Sequence, residues 1–269
     1  IFLVQLLHPA RHRGCVGVAK VGDKYLQTSY KLTPVVDPYA SKVDLRETVD
    51  GWFVPTMPDL NQRNPHVIKY LIQNSKWWIE TVGIDGIRMD TYPYADRAAM
   101  AQWMKELGEE YPNFNTVGET WVTEPAYTAA WQKDSKLQTQ NSYLPTVMDF
   151  AFYDRINAAK HEETDEWWNG LNRIYNSLVY DYLYEDPAHV MAFLDNHDTD
   201  RFLGNGKDST ALRQALALLL TINRIPQLYY GTEITRQSGC PRAVRSSAFY
   251  RSRTAWRNTA CGTRRLPNS

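Results

Sequence analysis

Three acids each close a short apolar run: Asp90 in Gly83-Ile84-Asp85-Gly86-Ile87-Arg88-Met89-Asp90, Glu119 in Thr116-Val117-Gly118-Glu119-Thr120-Trp121, and Asp198 in Phe193-Leu194-Asp195-Asn196-His197-Asp198. An apolar strand that ends on an acid just before a helix is how a β/α barrel presents reactive groups at the C-terminal face of its strands. Arg88 and Asp90 alternate with Ile87 and Met89, so on a strand both project from one face. A guanidinium beside a carboxylate favours the ionised form, which suits a nucleophile, although a structural ion pair has the same pattern. Glu119 is flanked by Val117, Gly118 and Trp121. An aromatic wall that restricts water raises a carboxyl pKa and keeps it protonated as a general acid, whereas the same glutamate could also cap the next helix. Asn196 is expected to share a strand face with Asp198, and His197 beside Asp198 offers a donor and an acceptor to adjacent sugar hydroxyls. A hydrolase triad would need a Gly-x-Ser-x-Gly elbow, which the chain lacks, and His161 and His189 do not have zinc-ligand spacing. One ionised Asp and one protonated Glu make the two-carboxylate pair of a retaining glycosidase, with carboxyls ~5–5.5 Å apart. The third acid then binds ring hydroxyls and stabilises the oxocarbenium-like transition state.

Such groups need a scaffold of alternating strands and helices, and the region 25–234 reads that way. Asn64-Pro65 predicts a helix start, apolar residues from Val67 to Val82 recur at helical spacing, and Gly83 predicts the stop. A second helix is expected from Asp96 to Tyr111, then a strand from Phe114 to Glu119 and a helix from Glu124-Pro125 through Trp131. A strand over Thr146–Phe150 precedes a long helical stretch to Tyr184. Strand Val190–Leu194, a helix capped by Ser209 and a last buried strand over Ile225–Tyr230 complete the pattern. The alternation implies a parallel sheet. No Gly-rich phosphate loop follows any strand, which disfavours an open nucleotide-binding sheet.

The 269 residues carry 30 Lys plus Arg against 30 Asp plus Glu, so no basic surplus points to nucleic acid or an anionic membrane. Mean hydropathy is −0.51, and no apolar run approaches the ~18 residues that span a bilayer. The opening Ile1–Leu7 stretch has no basic segment before it and is too short for a signal peptide. The 9 Trp and 17 Tyr fit sugar stacking, but most are expected in the core. Composition shifts at both ends. Residues 235–269 hold eight arginines with no lysine and no acid, and residues 1–20 hold no acid. Cys15, Cys240 and Cys261 all fall in these tails. Basic arms for a polyanion, a disulfide or a reactive thiol are three readings. A frame-shifted, non-native origin is the fourth and the favoured one, giving an atypical segment 1–24, a catalytic region 25–234 and an atypical tail 235–269.

At these residues the chain resembles the α-amylase family of glycoside hydrolases. Gly86-Ile87-Arg88-Met89-Asp90 is similar to the family's second signature, Gly118-Glu119 to its third, and Phe193–Asp198 to its fourth. The resemblance implies Asp90 as nucleophile, Glu119 as acid/base and Asp198 as transition-state stabiliser, with Arg88 and His197 at the cleaved sugar; Asn196 and Trp121 are further candidates for substrate binding. Met57-Pro58-Asp59-Leu60-Asn61 resembles the additional signature in the form closest to neopullulanases, cyclomaltodextrinases and maltogenic amylases. These cleave α-1,4 and some α-1,6 bonds in starch-derived oligosaccharides, pullulan or cyclodextrins. Tyr229-Tyr230-Gly231-Thr232-Glu233 resembles the eighth barrel strand. The first signature has no match, and Thr91-Tyr92-Pro93-Tyr94 stands where many relatives carry Lys-His. The resemblance therefore implies a partial (β/α)8 barrel of about strands 4 to 8, the piece of a larger enzyme, inactive by itself. Its partner would be an α-glucan oligosaccharide. Calcium serves some relatives through ligands that lie outside the resembling region, and no cofactor or metal is assigned here. A transglycosylating relative, such as a trehalose synthase or α-glucosidase, and a non-catalytic glucan-binding protein are the alternatives.

Overall fold

The computed structural model describes residues 20–21, 24–25, 39–51, 59–163, 165–204 and 209–235. The three cysteines, Met57-Pro58 and nearly all of both expected tails lie outside the described residues. Strands β1 (Lys20–Val21) and β2 (Lys24–Tyr25) pair antiparallel, so the expected boundary at residue 24 falls within a hairpin.

Helix α1 (Lys42–Asp50) is capped by Ser41, whose hydroxyl accepts from Asp44 N–H. Helix α2 (Pro65–Val82) starts where the sequence indicates: Asn64 accepts from His66 N–H and Pro65 takes the first turn. It stops at Gly83, whose φ of 69° is in the left-handed region that glycine tolerates. Ile68, Leu71, Ile72 and Ser75 form its buried face. That face meets α3 (Arg97–Glu110), which buries Met100, Trp103, Met104 and Leu107, and Trp103 Nε1 donates to Ser75 Oγ at 2.9 Å.

Five parallel strands follow in spatial order: β3 (Gly86–Met89), β4 (Asn115–Gly118), β5 (Thr146–Met148), β6 (Val190–Phe193) and β7 (Ile225–Gln227). They form a curled half-barrel, the partial (β/α)8 architecture expected. Strand alternation splits the packing in two. Ile87, Met89, Val147 and Val190 join the helix-facing core, while Val117, Met148, Phe150 and Phe193 form a separate cluster on the concave side. Gly118 is needed where β4 packs against the turn at Tyr92 and the loop before β5: a Cβ there would lie 2.6 Å from Leu144 Cδ2 and 3.2 Å from Tyr92 Cγ. We expect Gly118→Ala to cost ~1–3 kcal/mol in a urea melt; an unchanged midpoint would show that Leu144 simply gives way.

The structure corrects several expectations. The stretch from Phe150 to Tyr184 is two helices, α5 (Phe150–Ala159) and α6 (Leu171–Leu178), followed by a 3₁₀ segment (Val179–Leu183). Glu162 closes the reversal by accepting from Gly170 N–H and from Arg173 at 2.5 and 2.7 Å, with Gly170 at φ 55°. The helix expected through Trp131 is one short turn-and-a-half, α4 (Pro125–Ala129). Ser209 precedes α7 (Thr210–Leu219) but its side chain makes no cap, because its own backbone is already helical. The last strand is not buried. Ile225 and Gln227 are half-buried and Pro226 is exposed, since β7 has a single strand neighbour among the described residues.

Candidate active site

The site is built at the ends of β3, β4 and β6. Arg88 occupies the concave face of β3 and is almost fully buried, as are Asp90 and Glu119. Its guanidinium forks: Nη1 donates to Asp90 Oδ1 at 2.7 Å and Nη2 to Glu119 Oε1 at 2.5 Å. These are charge-assisted bonds, short and strong. Glu119 continues the ladder, with its N–H on Met89 O at 2.8 Å, and its other carboxyl oxygen accepts from Thr91 N–H at 2.8 Å. Thr91 reaches that position in a left-handed conformation, φ 49°, an uncommon state for a threonine and one concentrated at functional sites.

The Glu119 carboxyl is raised to about 7, first by burial and then by the Asp90 carboxyl, which lies within hydrogen-bonding reach; Arg88 and the Thr91 N–H oppose the rise. One guanidinium thus bridges both carboxyls of the expected pair. Trp121 lies two residues beyond Glu119. It stacks on Phe150 with centroids 4.7 Å apart and planes at 14°, and is 41% exposed, an open aromatic face at the mouth.

Asn196, His197 and Asp198 lie beyond the end of β6, so the expected shared strand face is replaced by a turn. Asn196 is buried; its Oδ1 accepts from Asp198 N–H at 2.9 Å, and its own N–H donates to Thr199 Oγ1 at 2.9 Å. The turn leaves His197 and Asp198 exposed, with His197 Nε2 3.0 Å from Asp198 Oδ2. That bond holds the imidazole pKa above its ordinary value, and the charges of Arg88 and Glu119 also reach it. The turn after β6 therefore faces the same mouth as the two buried acids. Among the described residues, Asn196 Nδ2 is buried with no hydrogen-bond partner.

Sequence reasoning missed Tyr94, a half-buried phenol raised by burial and then by the Glu119 charge. The signal was the departure Thr91-Tyr92-Pro93-Tyr94, whose 3₁₀ turn also sinks Tyr92 against Trp131. Among the described residues no cluster of His, Cys, Asp and Glu is placed to hold a metal, and no helix is long and apolar enough to cross a membrane.

The half-barrel of parallel strands thus carries acids at or beyond the ends of three strands, and the comparisons with known proteins give its family. A family model described as the α-amylase catalytic domain matches residues 51–255. A cyclomaltodextrin glucanotransferase of Geobacillus stearothermophilus is 32% identical over 187 residues, 66% of this chain and 24% of that protein. An α-amylase of Niallia circulans is 31% identical over 202 residues, 74% of this chain and 36% of that protein. Among solved structures, an Anoxybacillus α-amylase superposes with TM-score 0.61 at 30% identity, covering 76% of this chain and 44% of that one. The α-amylase of Geobacillus thermoleovorans complexed with acarbose gives 0.64 at 26%, covering 87% and 49%. The chain belongs to the α-amylase family. It spans about a quarter to a third of the length of the curated relatives it matches.

Proposed function

We propose that this site belongs to a retaining glycosidase acting on α-1,4 and some α-1,6 bonds of starch-derived glucans, in the manner of neopullulanases. The observation that carries the reading is the Arg88 fork, which joins Asp90 to a Glu119 carboxyl raised to about 7. In this reading Asp90 attacks the anomeric carbon and the glycosidic C–O bond breaks. Glu119 gives its proton to the leaving oxygen, then removes one from the incoming water as that water displaces Asp90. Asp198 and His197 bind ring hydroxyls, and the open face of Trp121 stacks on a sugar. A binding-only role would not call for both a forked Asp90 and a protonatable Glu119. The kinship with cyclomaltodextrin glucanotransferases favours a second reading, in which a sugar hydroxyl replaces water as acceptor.

With no first-signature match, the chain is expected to show no measurable turnover of pullulan or cyclodextrin. An α-maltosyl fluoride, whose leaving group needs no protonation, is expected to react slowly and with retention. Product analysis with added maltose separates hydrolysis from transfer. Fluoride release unaffected by Asp90→Asn, or a first product of inverted configuration, would overturn the reading.

Glu119 also makes stability depend on pH. Its folded pKa of about 7 lies above the ordinary value of 4.5. Its stabilising contribution is therefore fully present below the unfolded pKa and is lost as pH rises through the folded one. Glu119→Gln, uncharged throughout, removes that loss. Denaturant melts should show the variant gaining on the order of 2–3 kcal/mol at pH 8 relative to pH 4. An identical difference at both pH values would mean the carboxyl is not raised.

A further inference from the structure

The turn that carries His197 and Asp198 is exposed, so something must hold it in register with the buried acids. One face of α5 meets both ends of this segment. Asn157 Nδ2 donates to Leu194 O at 2.9 Å, just before the turn, and Lys160 Nζ donates to Phe202 O at 2.7 Å, just after it. The two side chains are themselves joined, Lys160 Nζ donating to Asn157 Oδ1 at 3.0 Å. Lys160 also sits over the Phe202 ring, 4.5 Å from its centroid. Within the segment, Phe202 N–H donates to Asp195 Oδ2 at 3.0 Å and Thr199 Oγ1 accepts from Asn196 N–H. One turn earlier on α5, Tyr153 stacks on Phe193 and brings its hydroxyl within reach of the Thr199 side chain. Tyr153, Asn157 and Lys160 follow helical spacing, so a single helix face spans the whole segment.

We propose that Asn157 and Lys160 are positioning residues that clamp the two ends of the 194–202 segment and thereby set where His197 and Asp198 stand. Neither touches the reacting groups in the arrangement proposed above, and the inference rests on that reading for the importance of the turn. Its physical basis is separate. Both bonds go to backbone carbonyls of one segment, and an amide linked to an ammonium fixes the distance between them. Lys160 is half-buried, and burial lowers its pKa while the Asp195 charge opposes this. Its nitrogen donates to both the Phe202 carbonyl and the Asn157 amide oxygen.

The test reads the turn directly. In the full chain, side-chain NMR titration of the histidines reports His197, whose raised pKa depends on its bond to Asp198, in a field that also contains Arg88 from β3 and Glu119 from β4. His189, bonded to Asp186 at 2.6 Å in a different loop, is the internal control. Lys160→Met and Asn157→Leu are expected to move the His197 titration down toward the ordinary histidine value and to leave His189 unmoved. Lys160→Arg should retain the parent titration. An unmoved His197 in folded variants, or His197 and His189 shifting together, overturns the proposal. Should both variants fail to fold, amide exchange in the parent decides: the Asp198 and Phe202 amides are expected to be protected, and exchange as fast as at free amides would refute the clamp. Because neither readout needs turnover, failure of the clamp is distinguishable from failure of the glycosidase reading, which the maltosyl fluoride assay tests alone.

Discussion

Asp90→Asn is expected to lower the release of fluoride from α-maltosyl fluoride by at least about 10³-fold, or ~4 kcal/mol of transition-state stabilisation. The activated substrate isolates the nucleophile, since its leaving group needs no proton from Glu119. The amide keeps the size of the carboxylate and can still face Arg88, which is buried beside it. What it loses is the anionic oxygen that would form the covalent bond. Fold should persist, so the melting transition serves as the control. Glu119→Gln is expected to behave differently, sparing the first step on the fluoride. A loss of similar size in both variants would argue that the two acids act as one structural unit.

The second large effect concerns a buried ion cluster far along the chain from the acids. Arg224, which precedes β7, places Nε 3.4 Å from Asp149 Oδ2, pairs with Asp181, and donates to Pro187 O at 3.3 Å. Asp149 is fully buried and caps α5 by accepting from Phe152 N–H at 2.8 Å. Burial pushes its carboxyl up and Arg224 opposes the rise. Arg224→Met is expected to destabilise the chain by ~3–5 kcal/mol, because it leaves a buried carboxylate without its partner. Adding Asp149→Asn to that variant should recover part of the loss, since the orphan charge is then gone. A denaturant melt of both variants measures this; full additivity of two separate losses would show that the residues are not coupled.

The strands were legible where one face alternates with another. Arg88 and Asp90, two apart on a strand bounded by Gly83, could be assigned to one face from spacing alone. The bond from Arg88 to Glu119 could not, because it joins residues 31 apart and depends on the register that sets Met89 beside Gly118. The same holds for Arg224, 75 residues from Asp149 and 43 from Asp181. Asp198 was recognisable as an acid after a strand, but its exposure follows from an Asn196 turn rather than from strand alternation. The reversal between α5 and α6 was hidden because residues on both sides of Gly170 suit a helix, and a side-chain bridge from Glu162 closes the turn. Trp121 was seen as a wall for Glu119. Its stack on Phe150, the first residue of α5, could not be read from spacing, because the two rings meet only once β4 and β5 pair in the folded sheet.

The central claim is that Asp90 forms a covalent bond to the sugar. It is tested most directly by treating the chain with a fluorinated α-glucosyl fluoride, which forms the glycosyl-enzyme but slows its hydrolysis, and then mapping the modified peptide by mass spectrometry. The account predicts one added sugar, carried on Asp90 and missing from Asp90→Asn. A sugar carried by Glu119 or Asp198, or fluoride release with no adduct at any time, would contradict it.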